Sequence, residues 1–410
     1  MRKNWIAVED MDQEVGDVEL LEVPAESLES DLVEVTGLDK DVEALVADGD
    51  ELESDTDTID ALTDNVEASL EEDGMDETAA RATDIAAEAF SIKWGIRRQT
   101  IGAEAFGNAD SRRQATMIAA ESLKDTAVNM WETFVKWIKE MIAKAKDLLL
   151  KLTNAGKSMK KRATKLEARI DSGLGTVDKK DVTGSFIKQI MIDEKVDYAG
   201  VLAYADAAPD AVTKLGAILA TSIDEAGKVV RAGVVTDEAG KKSFVTTEFG
   251  KKTTKAISVP TGAVGAQIRA FPGNGFLTSY IGTNKIGQTV FTSAADKGNI
   301  KKVNTLTPKE CTDGVKALFK IGETLETRLT GFRGANEKLE ALVKAVEDAA
   351  KKLKDAKAEE REAARKTLAL SRATVNASKA VERAATYSLT QAGQGIAGYV
   401  AASISAYKKA

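Results

Sequence analysis

Between Val128 and Leu152 the residues Val128, Trp131, Val135, Ile138, Ile142, Ala145, Leu149 and Leu152 fall at alternating spacings of three and four. Only an α-helix brings such positions onto one side, and a seam this long has to be buried against other helices. Asn108-Ala109-Asp110-Ser111 supplies an N-cap ahead of it, so a basic amphipathic helix is expected over 105–172. The same spacing returns after Pro308 in Leu339, Leu342, Val346, Ala349, Leu353 and Ala356. Beyond a charged break, Glu359-Glu360-Arg361-Glu362, a thinner seam of small residues follows: Thr367, Leu370, Thr374, Ala377, Val381 and Ala384. Residues 308–410 therefore read as an antiparallel helical hairpin that packs on the helix at 115–152.

The stretch between, 173–307, changes character. Phe186 to Leu219 reads as two or three short helices with Pro209 starting the second. β-type alternation follows in Val229–Val235, Ser243–Thr247 and Phe276–Ile281, with turns at Gly240, Pro260-Thr261-Gly262, Pro272-Gly273-Asn274-Gly275 and Gly298-Asn299. The expected fold is mostly α, with a smaller α+β module: a long amphipathic helix and a C-terminal hairpin around a small antiparallel sheet.

Charge divides the chain differently. Residues 1–104 hold 31 Asp and Glu against 7 Lys and Arg, a balance of −24, whereas the whole chain carries −8, so the remainder carries +16. From Glu9 to about Glu77 the high charge and low hydrophobicity predict disorder, with transient helices at most. Asp48-Gly49-Asp50 is no calcium loop, because Leu52 stands where a third oxygen ligand is needed. An acidic segment beside a basic body suppresses non-specific binding to polyanions until it is removed or displaced. The candidates for binding duplex DNA through phosphates, without base reading, are Lys124, Lys136, Lys139, Lys144, Lys146, Lys151, Lys157, Lys160, Lys161 and Arg162. A merely solvated charged face is the other reading of those residues.

Enzymatic signatures are scarce. The chain has no histidine and a single cysteine, Cys311, which reads as a small buried apolar residue. Gly393-Gln394-Gly395-Ile396-Ala397-Gly398 matches a dinucleotide fingerprint by letter, but no strand precedes it, and close helix packing is the better reading. No metal or cofactor is expected. Met1-Arg2-Lys3-Asn4-Trp5 leads into acidic residues rather than an apolar signal core, so a cytoplasm, or a particle assembled there, is the expected location. The uncharged run Ala384 to Tyr407 is long enough to span a bilayer but carries Thr386, Ser388, Thr390, Gln391, Gln394, Ser403 and Ser405, and reads as a packing helix.

At the boundary between acidic and basic parts the tetrapeptide Ala-Glu-Ala-Phe occurs twice, at 87–90 and 103–106. A glutamate behind small residues, at a junction expected to be exposed and extended, suits a protease. In this respect the chain resembles the internal head proteins (prohead inner-core proteins) of large tailed bacteriophages, whose acidic propeptides are removed by a prohead protease cutting after a small or apolar residue, any residue and Glu. Ala86-Ala87-Glu88 before Ala89 matches that motif, and Gly102-Ala103-Glu104 before Ala105 matches it more loosely. Ser27-Leu28-Glu29 and Ser69-Leu70-Glu71 could also be read. The stretch from Ala105 through Trp131-Glu132-Thr133-Phe134-Val135-Lys136 is similar in style to the start of the mature proteins, so the resemblance covers about residues 80–152. It implies a structural, non-enzymatic protein inside the capsid, with cleavage at Glu88 and Ala89 or at Glu104 and Ala105. The implied partners are the protease, other capsid or inner-core proteins and the packaged DNA. A membrane-active helical protein with a β-tongue is the alternative from another class.

Overall fold

The computed structural model describes residues 26–70, 74–96, 109–232, 254–256, 264–281, 287–293, 300–352 and 358–409. Its helices are α1 (Glu26–Leu70), α2 (Glu77–Trp94), α3 (Ala109–Asp171), the one-turn α4 (Phe186–Gln189), α5 (Tyr198–Ala232), α6 (Pro308–Glu323), α7 (Thr330–Lys352) and α8 (Ala358–Ser405). A π-turn at Thr324–Arg328 joins α6 to α7. Helix α6 begins on a capping box, in which Thr307 and Glu310 each bond the other's backbone N–H.

The expected mostly helical fold with a small antiparallel sheet is what forms. The strands are β1 (Leu174–Val177), β2 (Asp181–Val182), β3 (Met191–Ile192), β4 (Lys195–Val196), β5 (Thr254–Ala256), β6 (Val264–Phe271), β7 (Gly275–Ile281), β8 (Gly287–Ser293), β9 (Val303–Asn304) and β10 (Tyr407–Lys409). β5 to β8 make a four-stranded antiparallel meander, and β1–β10, β2–β9 and β3–β4 are two-stranded. The turn at 272–274 falls between β6 and β7 as its residues require. The β1–β10 pair ties the C-terminal end of α8 to the end of α3.

Every residue of the α3 seam is buried except Val128, which is half-buried. Two neighbours run antiparallel along α3. On one side lie α6, the π-turn and α7, paired through Lys160–Glu326, Lys146–Glu340 and Lys139–Glu347. On the other lies α1, and α8 runs through the centre of the bundle. From Thr367 to Val400 most α8 side chains are buried around the whole circumference, rather than along one thin seam. Gly393, Gly395 and Gly398 lie where α8 presses on its neighbours: a Cβ on them would meet Met159 at 2.5 Å, Ile190 at 2.7 Å and Phe186 at 2.8 Å. Cys311 is fully buried beside α8, and burial pushes its thiol up to about 11.

Four expectations change. The acidic segment is not disordered over 26–70, where it forms the 45-residue helix α1; residues 1–25 lie outside the described residues. Pro209 does not start a helix but sits inside the continuous 35-residue α5. Val229 and Val230 end α5 instead of starting a strand, and Ser243–Thr247 lies outside the described residues. The charged run at 359–362 is not a break, since α8 already begins at Ala358.

Candidate functional site

The site lies where α1 crosses α3 and α8. Along α1 the positions Val35, Leu38, Val42, Leu45, Gly49, Leu52, Thr56, Ile59, Thr63 and Val66 repeat at four and three, the complement of the α3 seam. Val35, Val42, Leu52, Ile59 and Val66 are buried. Thr56 and Thr63 turn their hydroxyls back onto the carbonyls of Leu52 (2.6 Å) and Ile59 (2.8 Å), so neither leaves an unmet donor in the seam. At Gly49 the Trp137 ring fills the place a Cβ would take, and its Nε1–H donates to the Leu45 carbonyl at 2.5 Å.

Around that seam α1 carries sixteen acidic residues and one lysine, a net −15. Glu34 pairs with Lys151 at 2.5 Å, Asp41 with Lys144 at 2.8 Å and Glu67 with Lys124 at 2.6 Å. The densest contact goes to the first turns of α8. Arg365 reaches Asp60 and Asp64, both at 2.9 Å. Arg361, its side chain 6% exposed, reaches Asp64 at 3.3 Å and grips Glu67 with both guanidinium nitrogens. Two arginines on successive turns thus engage three carboxylates, a geometry suited to the planar guanidinium fork.

Burial raises the Asp60 carboxyl above its ordinary value, more than the Arg365 charge lowers it. Burial also pushes Glu67 up, but hydrogen bonds from Arg361 and Lys124 outweigh it and leave Glu67 lowered.

The candidate phosphate-binding residues do not share one face. Lys124, Lys144 and Lys151 face α1, Lys139 and Lys146 are paired with α7, and Lys160 is paired with the π-turn. Lys136, Lys157 and Lys161 are exposed and Arg162 is half-buried. Sequence reasoning missed Arg361 and Arg365. Their place at i and i+4 near the start of a helix was visible, but the carboxylates they engage, Asp60, Asp64 and Glu67, lie about three hundred residues away.

Of the candidate cleavage residues, Glu88 and Ala89 are exposed, but they lie within α2 and are not extended; Ala87 beside them is buried. Asp76 caps that helix by accepting from the Ala79 N–H, and Lys93 and Trp94 tie its end to Asp55 of α1 at 2.5 and 2.8 Å. Glu104 and Ala105 lie outside the described residues. The run Ala384 to Tyr407 stands in the core, and among the described residues no helix is long and apolar enough to cross a membrane. Among the same residues no group of three or more Cys, Asp or Glu is placed to hold a metal ion.

A family model described as phiKZ-like phage internal head proteins matches residues 38–402, from within α1 almost to the end of α8. No curated protein and no solved structure matches the chain.

Proposed function

Since the chain belongs to the phiKZ-like phage internal head proteins, structural proteins of the capsid interior, we propose that it is a non-enzymatic component of the prohead core, with other capsid or core proteins as neighbours. In this reading it loses its acidic N-terminal segment to a prohead protease and stays with the packaged double-stranded DNA, bound without sequence preference. The observation that supports it is the position of α1. Its carboxylates occupy Lys124, Lys144, Lys151, Arg361 and Arg365, the cations that phosphates would otherwise contact. With residues 1–104 in place the chain carries −8; without them it carries +16.

The two candidate cuts differ in consequence. A cut after Glu88 divides α2 and leaves Lys93 and Trp94 on the body while their partners Asp55 and Glu51 belong to the severed segment. A cut after Glu104 removes α1 and α2 as one unit. A protease that reads extended chain also has to unwind α2 to reach Glu88. The reading therefore favours Ala105 as the final N-terminus.

Mass spectrometry of the protein from mature particles tests this. The expected chain begins at Ala105, and replacing Glu88 and Glu104 together by glutamine keeps the precursor intact. Recovery of a chain beginning near Met1 from mature particles defeats the processing half of the proposal. The DNA half is tested by anisotropy titration of duplex DNA with the chain after removal of residues 1–104. Binding that loses on the order of 500-fold in affinity between about 50 and 200 mM salt is expected for about five phosphate contacts.

A further inference from the structure

Cutting the chain and uncovering its cations are separate events in this structure. Past the connection at 97–108, α1 is held by contacts that do not depend on that connection. They are the buried seam from Val35 to Val66, the packing of Trp137 on Gly49, and the ion pairs to Lys124, Lys144, Lys151, Arg361 and Arg365. None of these is altered by hydrolysing a peptide bond after Glu104.

The geometry points to the groove between α3 and α8 as a receptor for an acidic heptad helix. It keeps α1 docked after the chain is cut and accepts α1 from a second copy in exchange. The receptor's selectivity lies in Arg361 and Arg365, which demand carboxylates at the spacing of Asp60, Asp64 and Glu67. The glycine at 49 adds a steric requirement, because any side chain there collides with the Trp137 ring. A cut chain then carries both a donor helix and a receptor, so copies packed at high concentration can trade α1 with one another. The inference builds on the processing reading above for its occasion, although the docking itself requires only that the chain be cut.

The experiment uses the full chain with a recognition sequence for a site-specific protease inserted between Gly102 and Asn108, cut after folding. The acidic fragment is expected to co-elute with the body on gel filtration at about 0.15 M salt, an ionic strength at which exposed pairs are screened but the seam is not. Mixing with a cut, isotopically heavy copy is expected to give mixed pairs by native mass spectrometry. Asp64→Asn, at a half-exposed position that contacts both arginines, should weaken retention at least tenfold while the uncut variant keeps its helical circular dichroism. Arg361→Gln with Arg365→Gln should do so more strongly. Separation of the unmutated fragment on cutting overturns the inference, as does retention without exchange, or unchanged retention in the Asp64→Asn chain. These outcomes do not depend on the native protease or on DNA, so failure of the processing or DNA-binding reading would show in other measurements.

Discussion

Helix α3 is flanked by two antiparallel partners that use the same devices with different materials. Helix α7 presents Phe332, Leu339, Leu342, Val343 and Val346, all buried, and its charges sum to +1, from five basic and four acidic residues. Helix α1 has no aromatic residue, alternates Val, Leu and Ile with Gly49, Thr56 and Thr63, and carries −15. Fully burying a large aliphatic side chain contributes about 1.5–3 kcal/mol, so the α7 seam is held by the hydrophobic effect whatever the salt. The α1 seam is thinner, and its threonines are satisfied within their own helix, so leaving costs them little in water. Much of what fixes α1 is charge. One partner is held mainly by its apolar seam; the other divides its hold between a thinner seam and carboxylate–cation pairs.

The largest test of that asymmetry places the same charge in both seams. Leu342→Asp on α7 buries an unpaired carboxylate in the central bundle and should lower stability by about 4 kcal/mol or unfold the chain. Val42→Asp on α1, equally buried, should undock α1 while the remaining helices keep their thermal transition. Calorimetry on the two full-length variants reads this directly. A single, equally lowered transition in both would mean that α1 is as integral as α7.

A smaller effect separates the lysines of α3 by the partner that covers them. In the chain lacking residues 1–104, Lys144 and Lys151 have lost Asp41 and Glu34, whereas Lys139 and Lys146 still face Glu347 and Glu340. Replacing the first pair by glutamine should make the logarithmic salt slope of DNA binding shallower by about 1.8, at about 0.9 per phosphate contact. Replacing the second pair should leave the slope unchanged. Equal effects of the two pairs would show that the α7 carboxylates do not shield their lysines.

How far the sequence carried these conclusions depended on whether a residue's partner was local. The α3 seam and the seam of α7 at Leu339, Leu342 and Val346 were legible because periodicity alone states a helix's buried face. The α1 repeat was just as present in Val35, Leu38, Val42, Leu45, Leu52, Ile59 and Val66. Its charge density predicts disorder, and the cations that neutralise it stand far off at Lys124, Lys144, Lys151, Arg361 and Arg365. Arg361 reads as a surface break for the same reason, since its carboxylates lie about three hundred residues away. Asp48-Gly49-Asp50 resembles a loop until the Trp137 ring explains the glycine. At Val229 and Val230 β-branched residues suggest a strand, but α5 continues through them to Ala232. The basic stripe was visible as composition, and its division between α1 and α7 was not.

The smallest predicted effect is also the one whose sign separates a buried contact from a simple surface ion pair. If α1 were held only by exposed charge pairs, acid would loosen it monotonically as carboxylates lost their charge. Docking instead raises Asp60, which is buried, above the aspartate value of 3.8, so the docked state binds more protons than the free helix over that window. Retention should therefore strengthen as the pH falls from 7 through the raised value. Glu67 has the opposite sign. Its docked pKa lies below 4.5, so its contribution is intact above 4.5 and is lost as the pH falls through the lowered value. The affinity of the severed α1–α2 fragment for the body should thus rise a few-fold on mild acidification and collapse only in stronger acid. Asp60→Asn should flatten the rise while leaving the collapse. A dissociation constant that climbs steadily from pH 7 downward would mean that Asp60 is solvated in the docked state and that the arginine contact is a surface one.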